Sequence, residues 1–181
     1  MPYPVTEDTT LTSKTLVTPS ISGNASKVYD GTTSGPDGLS ITLSGIGDAD
    51  VTATATFTYD NADVGTNKTI TATGITLAGK DAAKYVLRED TVMAVGKITP
   101  AQLTITAEDK SANMGDAMPT LTYRVDGLVG GESLLKAPEL TCDPDMTKAG
   151  EYPITVTGGL ASDNYTIVRV SGKLVVGVSY V

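Results

Sequence analysis

At 181 residues, with 40% hydrophobic and 19% charged residues, the chain carries enough apolar material to fold and too little charge to stay disordered. Its formal net charge of −8 repels phosphate backbones and argues against nucleic acid as a partner. There is no His, which removes the commonest general base and transition-metal ligand, and the single Cys142 has no internal disulfide partner.

The length fits one large domain or two small ones. Aromatics are scarce, with no Trp, one Phe and eight Tyr, so the cores are expected to be built from Val, Ile, Leu, Ala and the tyrosines. Thr is abundant at 29 residues, and its β-branch suits a pleated, half-wetted surface. No run is apolar and long enough to span a bilayer, so no membrane insertion is expected. No leader precedes Pro2, and the chain reads as a segment of a longer secreted protein rather than a cytosolic one.

Residues 1–13 are Pro- and Thr-rich without periodicity and read as a tail. Lys14–Thr18 opens a first unit as a strand, and Lys27–Thr32 is a strand running into an Asp-Gly turn. The clearest strand is Val51–Tyr59. There Val51, Ala53, Ala55, Phe57 and Tyr59 alternate with four Thr, which predicts one buried and one wet face. On that reading Phe57→Ala costs about 3–5 kcal/mol, the range for large-to-small core changes. Further strands are predicted over 69–73, 85–87 and 92–98. Pro100 breaks the run at Ile98–Ala101, which is too short for a floppy linker. In the second unit, strands are predicted over 101–106, 120–125, 139–142, 152–157 and 164–176, with a short helical turn over Gly131–Leu135.

One cassette occurs twice. Ile70-Thr71-Ala72-Thr73-Gly74, Tyr85-Val86-Leu87 and Gly96-Lys97-Ile98 reappear in order as Ile154-Thr155-Val156-Thr157-Gly158, Tyr165-Thr166-Ile167 and Gly172-Lys173-Leu174. Such fixed-order self-similarity marks tandem copies of one structural unit. It predicts equivalent places for Ile70 and Ile154, Ala72 and Val156, Tyr85 and Tyr165, and Val95 and Ser171. Gly96 and Gly172 are expected to permit a bend or bulge at the last strand. The fold class is therefore all-β: two tandem small sandwich-like (Ig-like) domains over 14–99 and 100–181. A β-grasp-like alternative stands for the second if the helical turn is real.

Lys27–Thr33, Val64–Lys68, Gly79–Tyr85 and Lys97–Pro100 resemble the YDG repeat of bacterial surface proteins. Leu103–Asp116, Pro119–Tyr123, Gly150–Thr155 and Asn164–Ile167 resemble the MBG repeat that often follows it. One departure is Met114, where the MBG pattern usually has Tyr before Gly-Asp. The resemblance implies non-enzymatic modules of long, secreted or wall-attached adhesin-like proteins at the bacterial cell surface. It brings no catalytic residues, and its link to mucin binding is a family-level analogy.

Each candidate site has a plainer reading. Tyr29, Tyr85 and Tyr165 are ligand-stacking residues or, more simply, core and corner tyrosines. Asp48, Asp50, Asp60 and Asp63 are a Ca²⁺ site or ordinary turn formers; their spacing matches no EF-hand. Cys142, Ser44 and Ser171 have no His to activate them. Lys14, Lys68, Lys84 and Lys97 are candidates for a Lys–Asn isopeptide cross-link only beside a suitable carboxylate. No catalytic, cofactor-binding or metal residues are assigned, and no cofactor is expected. The function expected is a spacer or stalk module, monomeric within a longer chain; the alternative is a binding module for a host glycan, mucin or protein.

Overall fold

The computed structural model describes residues 12–178. The tail expected over 1–13 lies outside them except for Thr12 and Ser13. The chain forms two compact units. Unit 1 comprises 12–27, Thr33–Asn61 and Asn67–Lys97; unit 2 comprises Val28–Thr32, Ala62–Thr66 and 98–178. The fold is all-β, with one 3-10 turn at Ala82–Lys84 among the described residues.

The first seven strands are β1 (Thr15–Ser22), β2 (Ser26–Val28), β3 (Ser40–Ser44), β4 (Thr52–Tyr59), β5 (Gly65–Ala78), β6 (Tyr85–Leu87) and β7 (Val92–Thr99). They form one mixed sheet in the order β2-β7-β5-β4-β3-β1-β6. The alternation expected over Val51–Tyr59 holds except at Thr58: Val51 and Tyr59 are buried, Ala53, Ala55 and Phe57 half-buried, Thr52, Thr54 and Thr56 exposed, and Thr58 half-buried like Phe57. Opposite it, Ala72 and Ile75 of β5 join Ile41 of β3, with Ile21, Leu43, Leu87 and Val92 around them. One sheet supplies every face of that cluster, so it must curl. A register shift between Thr54 and Thr56 supplies part of the curl, since β5 spends an extra residue there. Gly74, at φ +63°, sits inside the shift.

The second seven are β8 (Ala101–Ala107), β9 (Lys110–Asn113), β10 (Tyr123–Asp126), β11 (Lys136–Thr141), β12 (Gly150–Leu160), β13 (Tyr165–Val170) and β14 (Gly172–Gly177). They form a three-stranded sheet, β10-β8-β13, and a four-stranded sheet, β11-β12-β14-β9. Ile105 and Ala107 from the first meet Ile154, Val156, Leu174 and Val176 from the second in one core. Each aliphatic side chain fully buried here contributes about 1.5–3 kcal/mol. Met114, the residue that departs from the MBG pattern, packs against the same cluster.

Strand by strand, the two sets share one order. Replacing each strand of the seven-stranded sheet by its counterpart gives β9-β14-β12-β11-β10-β8-β13, which is the second unit's two sheets read end to end. The difference is a single link. Ile41 pairs with Ala53 to join β3 to β4, whereas β10 and β11 stay in separate sheets. In both sets the first strand pairs in parallel with the penultimate one, Thr15 with Tyr85 and Ala101 with Tyr165.

The cassette positions correspond. Ile70 and Ile154 are both 0% exposed, Ala72 and Val156 are both buried, and Val95 and Ser171 are both exposed. Gly74 and Gly158 have φ of +63° and +64°. Tyr85 is half-buried where Tyr165 is buried, so their depths differ. Gly96 and Gly172 serve close approach rather than a bend, since neither has positive φ. A Cβ on Gly96 would meet Tyr59 Cε1 at 2.7 Å, and one on Gly172 would meet the Ala107 carbonyl oxygen at 2.6 Å.

Three expectations change. The helical turn over Gly131–Leu135 does not form, because Gly130 and Gly131 both take positive φ (58° and 79°), outside the right-handed helical region. The β-grasp alternative loses its helix with it. The strand expected over 120–125 begins only at Tyr123, and β3 and β9 were not anticipated.

Candidate functional site

The densest polar cluster in unit 2 is built on Glu132, in the loop between β10 and β11. Both its carboxylate oxygens accept from tyrosine: the Tyr29 hydroxyl donates to Oε1 at 2.5 Å and the Tyr165 hydroxyl to Oε2 at 2.7 Å. The two rings meet edge to face, with centroids 5.5 Å apart at 81°. Each ring is placed by backbone. The Tyr29 N–H donates to the Thr99 carbonyl, extending a strand pairing, and the Tyr165 N–H donates to Ser162 at the entry to β13. The loop is closed on itself, since the Glu132 N–H donates to the Val129 carbonyl and the Val129 N–H to the Tyr165 hydroxyl.

The electrostatics follow from these bonds. Donation from Tyr29, then Tyr165, holds the Glu132 carboxyl below its usual range. The bond to Glu132, helped by burial, pushes the Tyr29 phenol up to about 12. Burial, then the bond to Glu132, raises Tyr165 as well. Both phenols therefore stay protonated at neutral pH and act as donors.

Beside them Asn164 donates from Nδ2 to Asp63 at 3.0 Å and accepts from the Val64 N–H at 2.9 Å. Tyr29, Asp63, Glu132, Ser133, Ser162 and Asn164 line an open cavity of about 470 Å³. The Ser162 hydroxyl is buried there and has no hydrogen-bond partner among the described residues. The wall offers acceptors and hydroxyls suited to a hydroxylated ligand and holds no activated nucleophile.

The other candidates lie apart. The Tyr85 hydroxyl donates to the Ile46 carbonyl at 3.3 Å, tying a loop in unit 1. Among the described residues no group of His, Cys, Asp or Glu is arranged to hold a metal ion. Asp60 faces Lys68 and Asp63 faces Asn164, while the Asp50 N–H donates to Asp81. Cys142 is half-buried against the unit 2 core, and burial pushes its thiol up, away from the reactive thiolate. Ser44 and Ser171 are exposed.

Of the lysines, Lys14, Lys84 and Lys97 are exposed, whereas Lys68 is only 7% exposed. Its ammonium lies 3.0 Å from the Asp60 carboxylate and donates to the Asn61 amide oxygen. That bond holds the Asp60 carboxyl below its usual range. Glu132 was missed in the sequence, although a lone acid in Gly130-Gly131-Glu132-Ser133 is a signal of its kind.

Residues 12–93 match the family model of the YDG domain, and residues 103–175 match that of the MBG domain (YGX type). No curated protein and no solved structure matches the chain.

Proposed function

We propose, from the premise that the chain is a YDG domain followed by an MBG domain, that it works as non-enzymatic spacer modules. The setting is a secreted or wall-attached adhesin-like protein at the bacterial cell surface, with the chain monomeric within it. The observation that supports this best is one strand order used twice. Each module closes its own core, and the Glu132 cluster turns its strongest acceptor inward onto Tyr29 and Tyr165. Spacers need folded length and little chemistry. In the parent protein, replacing both modules with unrelated β modules of equal length should leave adhesion intact. Lost adhesion with the parent still displayed would refute the reading.

The second reading is a binding module for a host glycan, mucin or protein. It is favoured by the open cavity that Glu132, Ser133 and Asn164 line. A glycan array and a mucin pull-down test it. Binding that Ser133→Ala or Asn164→Ala abolishes would establish it, and blanks at high protein concentration would remove it.

A further inference from the structure

Lys68 is the buried charged side chain of the described residues, and it does not sit in a simple ion pair. Its nitrogen contacts two groups of one turn: the Asp60 carboxylate at 3.0 Å and the Asn61 amide oxygen. The turn is rigidly held. The Asn61 N–H donates to Asp60 Oδ1 at 2.9 Å, and the Asp60 N–H donates to the Thr69 carbonyl at 2.9 Å. A nitrogen bonded to the amide oxygen lies beside the amide carbon, so a buried amine meets an amide and a carboxylate on one exposed turn.

We propose that Lys68 and Asn61 form an intramolecular isopeptide bond, with Asp60 as the proton carrier. The Asp60 carboxylate takes a proton from the Lys68 ammonium, freeing the lone pair. The amine attacks Asn61 Cγ, forming a C–N bond. The bond from Cγ to Nδ2 breaks, and Nδ2 leaves as ammonia, collecting the proton that Asp60 carried. One ammonium and one carboxamide become one secondary amide and one ammonium ion, so atoms and charge balance and no oxidant is required. Holding both partners in place replaces an encounter by an intramolecular step, which removes most of the entropic barrier. The product closes the 61–68 hairpin covalently, so the β4 and β5 ends cannot part there.

The test is intact mass of the folded 18.6 kDa chain. The chain should be lighter than its sequence mass by one ammonia, and tryptic cleavage after Lys68 should be lost. Lys68→Arg and Asn61→Ala should each restore the full mass. Asp60→Ala should slow formation in freshly folded protein by about 10²-fold or more, as loss of a proton carrier does. Full sequence mass in the wild-type chain after prolonged incubation overturns the proposal. So does an ammonia loss that persists in Lys68→Arg, which would place it in a succinimide instead. Bond formation at the wild-type rate in Asp60→Ala removes Asp60 from the step.

Discussion

Replacing Gly74 and Gly158 by Ala, singly and together, tests the duplicated architecture with the fewest confounding effects. Both residues hold left-handed backbone, at φ +63° and +64°, and a Cβ built on either meets nothing within 4 Å. Crowding is therefore absent, and the whole cost is conformational. A residue with a Cβ loses about 1–2 kcal/mol in this region. Ala also stiffens the unfolded chain, which returns about 0.4–1 kcal/mol. The net loss expected is about 0.5–1.5 kcal/mol at each site, equal in the two units, and additive in the double variant within about 0.5 kcal/mol. Gly172→Ala should cost more, because its Cβ would lie 2.6 Å from the Ala107 carbonyl oxygen and the backbone must move. Urea unfolding combined with hydrogen exchange at the β5 and β12 amides reads each unit separately. Stabilisation by Gly74→Ala, or costs at the two sites differing by more than about 1 kcal/mol, would refute the equivalence of the copies.

Ile70→Ala and Ile154→Ala, both at fully buried positions, should each lose about 2–5 kcal/mol in urea unfolding; a loss under 1 kcal/mol at either would show that position outside a core. Phe57 is only half-buried, so Phe57→Ala should cost about 2 kcal/mol rather than the full-burial range, and a loss under about 0.5 kcal/mol would show that its face is wet. Glu132 titrates below its usual value when folded; the stability it adds is complete above the ordinary Glu pKa and lost as pH falls through the folded value, so Glu132→Gln should flatten the acid side of the stability profile. Tyr29 is shifted the other way: its contribution is complete below 10.0 and lost as pH rises through about 12, so Tyr29→Phe should flatten the alkaline side, and identical profiles would count against the clamp.

What the sequence made legible was periodicity and repetition. The Thr alternation of Val51–Tyr59 specifies its buried face because a one-residue slip would invert every side chain. The cassettes located Ile70, Ile154 and the two left-handed glycines without any structure. Strand order was not legible, since pairing Thr15 with Tyr85 leaves no mark at either residue. Ser40–Ser44 escaped because Ser-rich strands look like loops, and the helical turn expected over Gly131–Leu135 fails at its first residue, because Gly131 holds a positive φ. The Glu132 clamp and the Lys68 turn were hidden for a related reason. Each depends on partners brought together by folding, Tyr29 with Glu132 and Tyr165, and Asp60 and Asn61 with Lys68.

The parallel pairing of first with penultimate strand also sets when each unit can fold. Thr15 has no strand partner in register until Tyr85 has been made, and Ala101 must wait in the same way for Tyr165. Local hairpins such as β11 with β12 can form early, but they cannot close a core without the first strand. Contacts so far apart in sequence fold in milliseconds to seconds rather than microseconds. A chain that emerges in order therefore keeps each unit open until that unit's penultimate strand is made, and completes the two one after the other.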